Sequence, residues 1–241
     1  MTSGERAVDT LAGPMRIFLT APDDGEEAPV VVVLMDAPGY REALKDVARR
    51  LAEEGYRAAL PDLYHREGPV AFDEERLVAG DQEEFGRLVA TMNRLSDEMT
   101  LEDLRATLDA LGAAGPVGVI GFCMGGRFAI RAMAAGDDRL RAAAVIHPSF
   151  IVTDASDSPH LSLGPDGGAY YFAFGGADQL TDPETVPPVV REQLEATDAT
   201  YEIDVLPGGD HGFMVAGARH DPEAAEGAWQ GTLRLFASTL R

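Results

Sequence analysis

The chain of 241 residues contains a single cysteine, and it stands where a nucleophile would have to be. Cys123 lies inside Gly121-Phe122-Cys123-Met124-Gly125-Gly126, directly after the apolar run Val117–Ile120. An apolar run that breaks into G-x-nucleophile-x-G reads as a buried parallel strand turning sharply into a helix, the nucleophile elbow with Cys in the usual place of Ser. The glycines let neighbouring backbone pass close to a strained residue whose side chain stands above the sheet edge. A helix from about Met124 to Ala135 then points its free N–H groups and positive dipole end at the sulfur, an arrangement that activates a thiol. A free cysteine is otherwise most often a small buried hydrophobe. The elbow glycines, the preceding strand and two correctly ordered partners favour the nucleophile.

Those partners are Asp178 and His211. Asp178 ends Gly175-Gly176-Ala177-Asp178 after the strand-like Ala169–Phe174, and His211 lies in Gly209-Asp210-His211-Gly212-Phe213 after the strand-like Tyr201–Leu206. Nucleophile, acid, histidine is the chain order of the α/β-hydrolase arrangement. In it His211 takes the thiol proton and later protonates the leaving group, while Asp178 fixes the imidazole tautomer and stabilises the imidazolium. Asp182 and Asp210 are nearby alternatives for the acid. The oxyanion of a tetrahedral intermediate needs donors, and the backbone N–H groups of Met124 and of Ala37 are the candidates. His65, His160 and His220 read as surface or packing residues, whereas His147, at a strand end, is the one expected to touch substrate. No H-x-x-x-H pair suggests a metal, and no cofactor is expected.

The elements that must position these groups alternate. Met15–Thr20 reads as an edge strand, followed by a polar turn over residues 21–29, and Val30–Met35 as a buried strand ending in Asp36-Ala37-Pro38-Gly39. Leu44, Val47, Ala48 and Leu51 recur at helical spacing from Glu42 to Glu54, and a strand Arg57–Leu60 follows, completing a βαβ unit. Helices are expected over Glu83–Leu95 and over about Leu101–Leu111, the latter with Thr100 as N-cap. Ala142–Ile146 is a further strand, ending at His147-Pro148-Ser149, and residues 151–168 read as a surface loop or lid. Asp182-Pro183-Glu184 and Asp221-Pro222-Glu223 read as helix starts. The pattern predicts one α/β domain over residues 1–241, a doubly wound, mostly parallel sheet with helices on both faces.

Composition narrows the partners. Acidic side chains number 41 against 20 basic ones, a net charge of −21, and Lys45 is the only lysine. Such a surface repels nucleic acid and anionic membranes. The longest apolar run is too short to span a bilayer and residues 1–10 lack a basic region followed by an apolar one, so a cytoplasmic location is expected. A single cysteine excludes an internal disulfide. A small-molecule substrate is expected, on a monomer or homodimer.

At these residues the sequence resembles the dienelactone hydrolase family of α/β-hydrolases, over nearly its whole length. Gly121–Gly126 is the most specific element, joined by Pro61-Asp62-Leu63-Tyr64, Gly175-Gly176-Ala177-Asp178 and His211-Gly212-Phe213. The resemblance implies the α/β-hydrolase fold and a Cys123-His211-Asp178 triad acting on lactones or activated esters without a cofactor. It also implies a carboxylate that contacts the resting thiol, a glutamate in the family, at the position of Asp36 here. A carboxylate bonding its own loop is the alternative for Asp36. Family enzymes that cleave dienelactone hold its carboxylate with two arginines. Arg76 corresponds to one, with a solvated position as the alternative, whereas the second place, four residues after the histidine, is Val215. Arg219 could substitute if its loop folds back. Loss of that partner argues for a less acidic substrate.

Two functions from different classes follow. One is a hydrolase working through a Cys123 thioester; the other is a non-catalytic or redox-responsive binding protein that uses the thiol as a sensor. A serine enzyme built on Ser149 or Ser162 ranks a distant third, because neither lies in an elbow.

Overall fold

Eight strands form one sheet in the order β1-β2-β4-β3-β5-β6-β7-β8. They are β1 (Thr2–Thr10), β2 (Gly13–Ala21), β3 (Val30–Leu34), β4 (Arg57–Pro61), β5 (Val117–Phe122), β6 (Leu140–Ile146), β7 (Ala169–Gly175) and β8 (Thr200–Leu206). The structure is a computed structural model that describes residues 1–23, 25–164 and 167–241. Asp24 of the expected polar turn and Pro165 and Asp166 of the expected 151–168 loop lie outside the described residues. From β4 to β8 neighbouring strands run parallel, and β1 and β2 add antiparallel at one edge.

Every residue of β3, β5 and β7 is buried, which is why each reads as an unbroken apolar run. Helices cover both faces. The Cβ of a residue at Gly118 would lie 2.8 Å from the Phe236 ring on α7 (Pro222–Thr239), and one at Gly121 would lie 2.0 Å from the Gly125 carbonyl on α5 (Met124–Ala134). Positions three apart in a strand face opposite sides, so α5 and α7 lie on opposite faces of β5. Joining α7 is α1 (Glu42–Glu53), through an Arg50–Glu226 ion pair at 2.6 Å. With α5 lies α4 (Asp97–Ala110), whose Asp97 binds Arg127 at 2.6 Å and Arg131 at 3.0 Å. Among the described residues no helix is long and apolar enough to cross a membrane.

Several boundaries differ from the sequence reading, each for a local reason. The sheet edge is β1, not the Met15–Thr20 strand: β1 is exposed along most of its length and carries Glu5, Arg6 and Asp9, so no apolar run announces it. Between β4 and α4 lie the short α2 (Glu74–Val78) and α3 (Gln82–Met92), the latter ending before Leu95. Helix α4 starts at Asp97 because Ser96 is the cap: its Oγ accepts from Met99 N at 3.2 Å, while Thr100 Oγ1, one turn in, donates back to Ser96 O at 3.1 Å. Asp182 likewise closes a turn on Glu184 N at 2.9 Å, and α6 (Val186–Glu195) begins only after Thr185.

Candidate active site

The sequence places Cys123, Asp178 and His211 after three different strands, and the fold brings them together at the carboxyl edge of the sheet. Cys123 joins β5 to α5 with φ 54° and ψ −114°. A left-handed backbone at a side-chain-bearing residue persists only where its neighbours fix it. Here Cys123 N donates to Ile146 O at 3.1 Å, and Cys123 O accepts from Gly126 N and from Ser149 N, both at 3.1 Å. Glycine at 125 is a steric requirement, since a Cβ there would lie 2.3 Å from the Leu34 carbonyl oxygen. The first turn of α5 is thereby pressed against the end of β3. Tyr64 bridges the same two parts, its hydroxyl donating to Ala37 O at 2.9 Å and lying 3.6 Å from Met124 Sδ. Tyr64 thus touches both residues whose N–H groups are the expected oxyanion donors, Met124 through its side chain and Ala37 through its carbonyl.

The His211 ring is oriented by Asp178, with Nδ1 2.8 Å from Asp178 Oδ2. The other oxygen, Oδ1, accepts from Leu180 N at 2.8 Å and Thr181 N at 3.0 Å, so the carboxylate cannot turn freely. Burial opposes ionisation of Asp178, but the His211 hydrogen bond and charge and these backbone donors hold its pKa below the ordinary value. Burial also opposes charge on His211, and the hydrogen bonds and charges of Asp178 and Cys123 outweigh it, raising its pKa to about 10. The imidazole is therefore a cation at neutral pH. Asp210 is excluded as the orienting acid by its own geometry, because its carboxylate accepts from His211 N at 2.7 Å and holds the backbone, not the ring.

A fourth side chain lies among these three. Ser149 Oγ is 3.1 Å from Cys123 Sγ and 3.2 Å from His211 Nε2, and the residue is buried. The sequence reading considered Ser149 only as a rival nucleophile, and Tyr64 only as part of a motif. The one available signal for Ser149 was its position just beyond the end of β6, among the same strand ends that carry the other groups.

The remaining expected residues have different seats. His147 is buried rather than open to a ligand: its ring meets His211 and Phe213 edge-on, each with centroids 5.3 Å apart, and its nitrogens have no hydrogen-bond partner among the described residues. Burial, reinforced by the nearby His211 charge, lowers its pKa to about 3 and keeps it neutral. Asp36 directs its carboxylate to Arg41, whose Nη2 donates at 2.8 Å, instead of to the sulfur. Arg76 lies on exposed α2 with its guanidinium on Asp81 at 2.9 Å and Glu83 at 3.3 Å, the solvated alternative of the sequence reading. Val215 is buried; Arg219 is exposed, and its loop does return, so that a Cβ on Gly212 would lie 3.8 Å from its side chain. His65 is tied to Asp103 at 3.2 Å and His160 to Ser158 at 2.8 Å, while His220 is exposed.

A cleft of about 540 Å³ opens against Met124 and Ser149, which neighbour Cys123, and is lined further by the apolar Met92, Leu95, Phe128 and Phe150 and the polar Asn93, Ser96, Asp97 and Glu98. Its cation, Arg127, is already engaged by Asp97 through two hydrogen bonds of 2.9 and 2.6 Å. The lining is mixed, apolar on Met92, Leu95, Phe128 and Phe150 and acidic at Asp97 and Glu98, with no unpaired positive charge among the residues that form it.

Known proteins resemble the chain over nearly its whole length. A Synechocystis protein named "putative carboxymethylenebutenolidase" is 30% identical over 232 residues, covering 93% of this chain and 92% of that protein. The carboxymethylenebutenolidase of Rhodococcus opacus is 26% identical over 239 residues, covering 92% and 86%. A Klebsiella pneumoniae crystal structure, named "putative dienelactone hydrolase", superposes with a TM-score of 0.80 at 29% identity and covers 98% of both chains. The profile of the Dienelactone hydrolase family matches residues 15–240, and the chain belongs to that family.

Proposed function

We propose that this dienelactone hydrolase family member cleaves a lactone or activated ester through a thioester on Cys123, without a cofactor. The observation that carries the reading is the convergence of Cys123, His211 and Asp178, with Cys123 in a left-handed elbow at the head of α5. The thiolate attacks the carbonyl carbon, and the C=O electron pair moves onto oxygen. The N–H groups of Met124 and Ala37 receive that oxyanion; one such donor is worth roughly 10²–10³ in rate. Collapse expels the alkoxide, which takes a proton from His211 and leaves the thioester. Neutral His211 then draws a proton from water as it attacks, and the acid and free thiol are released.

Substrate charge follows from the same geometry. Arg76 and Arg127 are paired with carboxylates, Val215 offers no charge, and Arg219, although its loop returns to Gly212, is exposed and outside the lining of the cleft. The carboxylates of Asp97 and Glu98 in the cleft, with no free cation among the residues that line it, support an ester without a negative charge. Hydrolysis of p-nitrophenyl esters and of dienelactone, measured side by side for wild type and Cys123→Ala, tests both statements. Turnover of neutral esters that is lost in Cys123→Ala is expected. Equal activity of Cys123→Ala, or preference for the anionic dienelactone, overturns the corresponding statement.

A further inference from the structure

Ser149 makes contacts that the Cys-His-Asp scheme leaves unused. Its hydroxyl lies between Cys123 Sγ at 3.1 Å and His211 Nε2 at 3.2 Å, so an unbroken chain of polar atoms runs from the sulfur through Ser149 and His211 to Asp178. Three residues other than glycine have positive φ among the described residues: Cys123, and the two that flank the Pro148-Ser149 pair, His147 at 34° and Phe150 at 53°. Strain of this kind marks a side chain held in place by its surroundings. The surroundings are explicit here. Ser149 N donates to Cys123 O at 3.1 Å, His147 N donates to Ala173 O at 2.7 Å, and Thr181, next to the Asp178 turn, donates its hydroxyl to Pro148 O at 2.6 Å. The Ser149 segment is thus tied to the elbow, to β7 and to the acid turn at once.

We propose that Ser149 is a catalytic residue that holds Cys123 as a thiolate beside protonated His211. With Nδ1 of His211 on Asp178, Nε2–H of the imidazolium faces the sulfur and the Ser149 oxygen, and the Ser149 hydroxyl, accepting from Nε2–H, donates its own proton to Sγ. The thiol proton passes to Nε2, so that the S–H bond breaks and an N–H bond forms, and Ser149 keeps its proton throughout. The ionisable groups facing this chain are Asp178, His147 and Tyr64, with Asp36 and Arg41 beyond them closed into an ion pair. None of these other side chains bridges the sulfur and the ring.

This role rests on Cys123 as the nucleophile, and the test separates the two claims. Ser149→Val and Ser149→Thr have the same shape and differ in the hydroxyl, so their comparison reads the hydrogen bond to the thiolate even if both disturb the loop. Expected is a loss in kcat/KM of roughly 10²-fold for Ser149→Val on a p-nitrophenyl ester, with Ser149→Thr retaining more of the activity. The pH profile of Cys123 alkylation by iodoacetamide should move to higher pH in Ser149→Val and return in Ser149→Thr. Identical alkylation profiles and rates in the two variants would overturn the Ser149 role while leaving Cys123 in place, provided Cys123→Ala is inactive. Activity surviving in Cys123→Ala and vanishing in both Ser149→Val and Ser149→Ala would make Ser149 itself the nucleophile and overturn both claims.

Discussion

Arg41 grips both carboxylate oxygens of Asp36, with Nη2 donating to Oδ2 at 2.8 Å and Nη1 to Oδ1. A carboxylate held in this way by a largely buried guanidinium is fixed in its loop, next to the Ala37 amide, rather than free to approach the thiol. Removing Asp36 takes away the partner that holds two nitrogens of the largely buried Arg41 and leaves its charge to the half-exposed Glu74, 2.9 Å from Nε. Asp36→Ala is therefore expected to lower unfolding stability by about 3 kcal/mol in urea titration, and Asp36→Ala/Arg41→Met to recover much of it. A carboxylate that gates the thiol predicts the opposite pattern: stability preserved and Cys123 alkylation accelerated.

His147 makes stability depend on acid. Its folded pKa, about 3, lies below the ordinary histidine value, so between the two the unfolded chain binds a proton that the folded one refuses. Its contribution is fully present above the unfolded value near 6.5 and is lost as the pH falls from there toward 3, at roughly 1.4 kcal/mol per pH unit. His147→Phe should retain stability at pH 7 and lose stability less steeply below pH ~6. His211 works in the other direction, with stability present below 6.5 and lost as the pH rises through about 10, and it is common to both proteins. Parallel stability curves for wild type and His147→Phe from pH ~7 to ~4 would contradict the assignment.

The sheet was legible where burial leaves a mark in composition. Val30–Leu34, Val117–Phe122 and Ala169–Gly175 are enclosed on both faces and must be apolar throughout. Cys123 and Asp178 could be read because each follows such a strand, and His211 because it lies in the glycine-rich turn after the partly exposed edge strand β8; chain order then stands in for space. Ser149 and Tyr64 could not, because what brings them to the site is tertiary: Ser149 by its bond to Cys123 O, Tyr64 by reaching across to Ala37 O. The seat of Arg76 was equally hidden, since pairing with Asp81 depends on the short α2 that the sequence does not announce.

Tyr64 supports the oxyanion donors through the Ala37 carbonyl. Tyr64→Phe removes a hydrogen bond at 2.9 Å while keeping the ring that packs over Gly39. The expected cost is about 1 kcal/mol of stability and a fall in kcat of about tenfold with KM little changed, read from steady-state kinetics and thermal unfolding. A rise in KM alone would place Tyr64 in substrate binding instead.

Gly125 sets the distance between β3 and α5. A Cβ there would stand 2.3 Å from Leu34 O and 2.7 Å from Met35 O, so Gly125→Ala must push the helix away from the loop that carries Ala37. A displacement of about 1 Å in the donors costs roughly 10² in kcat. Folded Gly125→Ala, checked by circular dichroism, should show that loss; wild-type kcat in the folded variant would mean that the two amides do not share an oxyanion.

The most direct test of the account is intact-mass spectrometry of the protein quenched during turnover of a p-nitrophenyl ester. The account predicts one acyl adduct, removed by hydroxylamine, located on Cys123 by peptide mapping and missing in Cys123→Ala. An adduct on Ser149 or any other residue, or turnover by Cys123→Ala at the wild-type rate, would contradict it.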